Sequence, residues 1–407
     1  MASAGRRVLM LLENQPYPQD GRVRRESFAL ADAGYQVTVI CPRNGDQPRR
    51  EAVNGVRVIR YPHPPTGNGL VGYLVEYGYS TTISFLLSLW VAIRGGFDVV
   101  HSHNPPDTMF VIGAFFKLFG KRYVFDHHDL SPDMYNARFG GKGNKLVFKA
   151  LVLLERLSCI VADEVIATNE SYREMEMRRD NVNPNHITIV RNGPELGRIK
   201  QVDPDPDLKA MGKTIIGYVG VMGYQDGVDY LLRAFHHLVH ELNRTDFYAV
   251  LVGTGDAWHD LRKLSTKLDL DDHVQFTGTI SDADLRRYLS SADICVDPDP
   301  SNPFNDRSTM IKVTEFMALS KPIVAFDLTE NRFTAQQAAV FVPANDELAF
   351  AQALADLMDD PERQARMGAF GRRRIEESLA WIHWAPKLID VYENLFAKQG
   401  ATAVSHS

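Results

Sequence analysis

The chain has 407 residues, of which 44% are hydrophobic and 24% charged. That is a globular composition and too long for one ordinary core, so two domains are expected. A formal net charge of −6 and a pI near 6.1 argue against the basic footprint of a nucleic-acid binder, so no nucleic-acid partner is expected.

The opening RRVLMLLE reads as a first strand rather than a secretory signal, because its apolar run is too short. DGRVRRESFALADAG follows as a helix ending at Gly34, and YQVTVIC as the next strand, which completes a βαβ unit. The stretch 71–94, VGYLVEYGYSTTISFLLSLWVAIR, has the length of a spanning helix. Gly72, Glu76, Gly78 and a Ser/Thr cluster interrupt it, so it reads as a helix over a sheet with an apolar edge near a membrane surface. The alternation continues through a helix over 82–94, strand FDVVHSH, a helix over 107–118, strand RYVFDHHD, a helix over 145–161 and strand EVIAT; HITIVRNGP closes the half. ELGRIKQVDPDPDLKAMGK breaks the pattern as a linker, with a hinge near Pro194 to Lys213.

A second series follows: TIIGYVG, a helix over 227–242, FYAVLVGTG, a helix over 257–268, HVQFTG, a helix over 282–291, ADICVDP, a helix beginning at Ser308 or Thr309, and PIVAFD. The tail LAWIHWAPKLIDVYENLFAKQ is amphipathic, with a proline expected to kink it. Strands alternating with helices imply parallel sheets covered on both faces. The expected fold class is α/β, with two Rossmann-like domains facing each other across a cleft. The first covers 1–200 and receives the tail helix 381–400; the second covers 213–378. Cys41, Cys159 and Cys295 form no CxxC pair or metal-ligand spacing, so a reduced cytoplasmic protein is expected.

In such sheets ligands lie beyond the carboxyl ends of the strands. Those ends carry His101–Asp107 and Asp126–Asp129 in the first half. In the second they carry GVMGYQDG (220–227), GTGD (253–256), TGT (277–279) and DPDPSNPFNDRST (297–309). Each alone reads as an ordinary turn or a hydrogen-bonded histidine. HHD lacks a metal-ligand partner at useful spacing, and neither a GxSxG elbow nor a P-loop is present. Lys312 and Glu315 are three residues apart on one helix face. They read either as a surface ion pair or as a nucleotide site, in which helix N–H groups and Lys312 meet an anion and Glu315 accepts from a ribose diol.

Together the segments DGRVRRESFALADAGYQVTVI, FDVVHSHNP, FDHHDLSPD, ADEVIATNE, IVRNGP, GYVGVMGYQDGVDYLLRAF, LVGTGD, VQFTGTI, ADICVDPDP and KVTEFMALSKPIVAFD resemble, in this order and over nearly the whole chain, the retaining GT-B glycosyltransferases of family 4. The resemblance implies transfer of a sugar from a UDP- or GDP-sugar to a glycan or lipid-linked acceptor, in cell-surface polysaccharide or glycolipid synthesis. It implies no cofactor and no metal, a cytoplasmic location at the inner face of the plasma membrane, and peripheral membrane association. It assigns Glu315 to the ribose as the second acid of an E-x7-E element. Thr277, Gly278 and Thr279 match the base-proximal turn, and His128 the histidine near the reacting sugar. Gly220, Gly223, Ser308, Thr309 and Lys312 join the donor set. Gly21, with His103 and Asp129, falls on the acceptor side or phosphate loop. The catalytic set is His128, Asp306 and Lys312. Two departures stand out. Arg307 occupies the place of the first acid, with Asp306 beside it, and the usual Arg and Lys fall on Val221 and Asp226. The alternatives are a non-catalytic nucleotide-binding homologue and a nucleotide-sugar epimerase on the same fold.

Overall fold

The structure, a computed structural model, describes residues 5–65 and 69–404. The chain divides into two compact units, Met1–Arg191 with His383–Ser407 and Asn192–Ile382. The first unit runs β1 (Arg7–Leu11), α1 (Gly21–Asp32), β2 (Gln36–Pro42), β3 (Arg50–Val53), β4 (Val56–Tyr61), α2 (Gly69–Arg94), β5 (Val99–His103), α3 (Phe110–Lys117), β6 (Arg122–His127), α4 (Ser131–Arg138), α5 (Lys145–Val161), β7 (Glu164–Ala167), α6 (Glu170–Arg178) and β8 (Ile187–Ile189). The described strands form one sheet in the order β3-β4-β2-β1-β5-β6-β7-β8, parallel except for the β3–β4 hairpin. Val8–Leu11, Val99 and Val100, and Tyr123–Phe125 are almost wholly buried, because helices cover both faces of a parallel sheet and leave no solvent side for alternation.

The second unit runs α7 (Pro206–Ala210), β9 (Thr214–Val219), α8 (Val228–His240), β10 (Phe247–Val252), α9 (Trp258–Lys267), β11 (Val274–Gly278), α10 (Asp282–Ser291), β12 (Ile294–Asp297), α11 (Ile311–Ala318), β13 (Ile323–Phe326), α12 (Thr329–Ala335), β14 (Ala339–Val342), α13 (Glu347–Met358) and α14 (Pro361–Arg374). Its sheet is parallel, in the order β11-β10-β9-β12-β13-β14. The buried stripe of α8, Leu231, Leu232, Phe235 and Leu238, packs into a core with Phe247, Val296 and Phe326. The last helix, α15 (Ala385–Val404), belongs to the first unit. In each sheet the strand order reverses next to its first strand, at β1/β5 and at β9/β12. A crevice opens beyond the carboxyl ends at such a point.

Some expectations need correction. The 107–118 segment begins with a 3-10 turn, Asp107–Met109, before α3. The proline of the tail does not kink a helix. Pro386 lies in the first turn of α15, where its missing N–H has no intrahelical partner to lose. The 71–94 stretch is part of α2, and no helix among the described residues is long and apolar enough to cross a membrane.

Candidate active site

In the first unit β5 and β6 deliver polar side chains at their carboxyl ends. His103 Nδ1 lies 2.8 Å from Asp126 Oδ2. Arg22, from the first turn of α1, grips both oxygens of Asp126 at 2.6 Å and donates to the Val190 carbonyl at 3.0 Å. All three side chains are buried. Burial would raise the Asp126 carboxyl, but Arg22 and His103 outweigh it and hold it well below the carboxylate range. Glu26, one turn on from Arg22 and 3.1 Å from its guanidinium, is pushed well up by burial and by Asp126. Burial holds His101 and His103 on the neutral side of their usual range. His101 Nδ1 lies 2.7 Å from the Tyr392 hydroxyl of α15.

His128 lies just past β6, with its side chain 12% exposed and its Nδ1 3.8 Å from Asp126. Asn104 shapes this turn. Its Oδ1 accepts from the His128 and Asp129 amides at 2.9 and 3.2 Å, and its Nδ2 donates to the Asp129 carbonyl at 2.6 Å and Asp107 Oδ1 at 3.0 Å. Burial raises the Asp129 carboxyl. Gly21 opens α1 behind its cap, Asp20, whose Oδ1 accepts from the Val23 amide at 2.9 Å. Thus His103, His128 and Asp129 gather at adjacent strand ends. Glu26, His101, His103 and Asp126 offer metal-ligand types, but Arg22 already takes both Asp126 oxygens, and the set reads as an ion-pair network.

In the second unit the loop after β9 carries Gly220 and Gly223, with the Gly223 amide donating to Asp226 Oδ2 at 2.8 Å. Gly253, at φ +131°, is so close to this loop that a Cβ would lie 1.9 Å from the Gly220 carbonyl oxygen. Gly227, at φ +68°, opens α8 against Pro298, whose carbonyl a Cβ would meet at 2.0 Å. Asn305 ties the same loop to the segment after β12, donating to the Gln225 and Pro300 carbonyls, each at 2.9 Å. Thr277 and Gly278 end β11, Thr279 follows, and the Gly253 amide donates to the Gly278 carbonyl at 3.2 Å. Glycines are required here because three loops pass backbone to backbone at one end of the sheet.

The helix expected from Ser308 or Thr309 begins instead at Ile311, with Met310 as its cap. Asn302 Oδ1 captures the Phe304 and Asn305 amides at 3.0 Å and a 3-10 turn forms over Asn305–Arg307. The Ser308 hydroxyl then donates to the Phe304 carbonyl at 2.9 Å and Ser308 stays extended rather than starting the helix. Lys312 remains in the first turn and Glu315 one turn further, half-buried. Asp306 Oδ2 accepts from the Ser301 hydroxyl at 3.2 Å, and burial raises this carboxyl.

Lys312 is not an isolated cation. Its Nζ is ion-paired with Asp299 and lies 3.2 Å from Asp297 Oδ1, and it lies 5.1 Å from the Tyr218 ring centroid. Burial would lower the ammonium, but Asp299, with Tyr218 and Asp297 beside it, holds it well above its usual range. Asn331 Nδ2 donates to Asp297 Oδ2 at 2.6 Å. Sequence reasoning placed Asp297, Asp299, His101 and Asp126 in strand-end segments without pairing them, and it missed Arg22, Glu26 and Tyr392. The Arg22–Glu26 spacing of four was visible, but such a pair ordinarily lies in solvent.

The amino-terminal unit matches the glycosyl transferase 4-like domain over residues 21–193, and the carboxy-terminal unit the glycosyl transferases group 1 over 213–360. The chain belongs to the family 4-type glycosyltransferases of GT-B fold. It is 27% identical over 392 residues to a phosphatidyl-myo-inositol mannosyltransferase of Mycobacterium leprae, covering 93% of this chain and 95% of that one. Sucrose-phosphate synthase from Thermosynechococcus elongatus shares the fold with a TM-score of 0.77 and 21% identity, over 97% of this chain and all of that one. Anabaena HepE, solved with UDP and glucose, shares it with a TM-score of 0.70 and 14% identity, over 96% and 99%. This family-4 glycosyltransferase carries both of its strand-end constellations inside the matched segments.

Proposed function

We propose that this glycosyltransferase moves a sugar, with retention of configuration and without a metal, from a UDP- or GDP-sugar to a glycan or lipid-linked acceptor. The second unit reads the donor and the first reads the acceptor. The observation that carries the donor assignment is the convergence at β9/β12. There, closely packed glycine loops, the first turn of α11 and Lys312 share one end of a parallel sheet. The N–H groups of a helix start and a nearby cation are what a diphosphate needs. Glu315 is the acceptor for a ribose diol, and Thr277–Thr279 lie toward the base.

The reaction breaks the bond between the anomeric carbon and the diphosphate oxygen. Negative charge builds on the leaving oxygens while the sugar becomes cation-like, and donors fixed on those oxygens stabilise that state. The acceptor oxygen then bonds to the anomeric carbon and its proton passes to the leaving phosphate. His128 and Asp306 orient the sugar hydroxyls. Lys312 acts as part of a Lys312–Asp299–Asp297 unit, so its charge on the diphosphate is tempered by two carboxylates. The relative from M. leprae, whose name refers to a phosphoinositide, supports a lipid-linked acceptor, and such an acceptor would set the reaction at the inner membrane face in glycolipid or surface-polysaccharide synthesis.

The test is turnover of UDP- and GDP-hexoses with a panel of glycan and lipid-linked acceptors, with the product anomer read by NMR. Diphosphate release coupled to an α-product from an α-donor, undiminished by excess chelator, is expected. Inversion, or loss restored only by Mg²⁺ or Mn²⁺, would refute the mechanism. Conversion of the donor sugar without acceptor would mark an epimerase.

A further inference from the structure

Helices α2, α3 and α5 connect β4 to β5, β5 to β6 and β6 to β7, and α3 packs against both of the others. They form one layer over the first unit's sheet. Two of them are packed inside out. In α2 the buried stripe is Ser80, Ser84 and Ser88 followed by Val91, while Leu74, Leu86 and Ile93 are 65, 54 and 84% exposed. In α5 the buried residues are Glu155, Ser158 and Cys159, while Leu146, Leu153 and Ile160, seven residues apart, are 76, 56 and 61% exposed. The α3 end adds exposed Leu118 and Phe119. A helix that covers a sheet normally buries its apolar stripe and shows the polar one to water. Single exposed leucines need no explanation, but a layer with this inversion in two neighbours does.

Charge decides what covers it. Lys145, Lys149 and Arg156 run along α5 beside its leucine row, and Lys142 lies three residues before the helix. All four are exposed, and none has an ion-pair partner among the described residues. No carboxylate is exposed on the three helices: Glu76 is half-buried and Glu155 buried. The chain as a whole carries −6, so this face departs from the molecule in sign. A second copy seated on it by two-fold symmetry would bring the cation rows toward the same patch, at a cost in repulsion. An anionic lipid surface satisfies both rows, with leucines at the acyl boundary and lysines at the headgroups.

We infer that the outer face of α2, α3 and α5 is a docking surface for an anionic bilayer. The inference specifies which surface would meet the membrane in the setting proposed above; it rests on that reading for the setting only and does not depend on the catalytic assignment. The test is co-sedimentation of the full chain with vesicles of phosphatidylcholine alone or with about one third phosphatidylglycerol, alongside calorimetric titration with UDP and GDP. Binding to the anionic vesicles only, weakened by salt, is expected. Lys149→Gln with Arg156→Gln should lower the partition about 25-fold, at about 5-fold per cation. Leu146→Ser with Leu153→Ser should lower it by at least about 10-fold. These four side chains are exposed, so the variants should melt like the parent and bind nucleotide like the parent. Equal binding to both vesicle types, no binding to either, or unaltered binding by both variants overturns the inference. A dimer that Leu153→Ser dissolves would also overturn it, by making a second copy the occupant. Vesicle binding without any nucleotide binding would sink the glycosyltransferase reading and leave the docking face standing.

Discussion

Lys312 shows what a residue looks like once its surroundings are known. From the sequence it was a surface partner of Glu315 or a lone cation for a diphosphate, whereas in the structure it is tied to Asp297 and Asp299. Lys312→Met therefore has two expected effects. Unpairing the buried aspartates should cost about 3–5 kcal/mol of stability, as for other broken buried pairs. Diphosphate affinity should fall by about 1.5–3 kcal/mol, the scale of a charged hydrogen bond, with little change for the monophosphate. Urea unfolding and titration calorimetry read the two separately, and equal losses for both nucleotides would mean that Lys312 only holds the aspartates. Glu315→Gln should weaken mono- and diphosphate alike, because both carry the ribose. His128→Ala should cut turnover by roughly 100-fold, in the range of a lost proton-handling or positioning group, with nucleotide affinity nearly unchanged. Near-full turnover would make His128 structural.

At the scale of elements, legibility followed local signals. The structure gives α5 and α10 the sequence boundaries because each has an apolar period behind a capping residue, Asn144 or Ser281, whose oxygen accepts from the second or third helical amide at 2.8 and 3.1 Å. The β3–β4 hairpin was overlooked although Asn54-Gly55, both at positive φ, is a tight-turn signature. The α11 start was misplaced because Asn302 and the Ser308 hydroxyl spend their hydrogen bonds on a preceding 3-10 turn, a competition that residue types alone do not rank. Nor could DGRVRRESF reveal that Arg22 and Glu26 face a buried aspartate rather than water. Glu13, just past β1, gives a test of such buried acids. Burial first, and then Glu76, raise its carboxyl to about 7, against a hydrogen bond from Ser80 at 3.2 Å. A raised folded pKa means that the folded state holds the proton more tightly. Its stabilising contribution is complete below the unfolded value of 4.5, declines as pH rises, and is lost above about 7. The whole swing is about 3 kcal/mol. Glu13→Gln should thus gain stability relative to the parent between pH 5 and pH 8 in urea titrations, and a difference that does not change with pH would contradict the assignment.

For the whole molecule, the two parallel sheets followed from the alternation of strands and helices, while the strand order with its switch points and the pairing of the last helix with particular partners did not. Leu388, Val391, Tyr392 and Leu395 of α15 are buried, and Tyr35 lies 5.4 Å from Tyr392 between ring centroids. Ending the chain before His383 should therefore raise amide exchange in β1, β5 and α1 by orders of magnitude and leave β9, β10 and β12 protected. Equal exposure in both units would contradict the division at Arg191 and Ile382. The central claim is that the β9/β12 end of the second unit binds the nucleotide of a sugar donor, and calorimetric titration of the full chain with UDP, GDP and ADP, repeated on Glu315→Gln, tests it most directly. The account predicts binding of UDP or GDP that the variant weakens by about 1–3 kcal/mol, the cost of losing a hydrogen bond to a charged group. Failure of all three diphosphates to bind the parent, or unaltered binding by the variant, would contradict it.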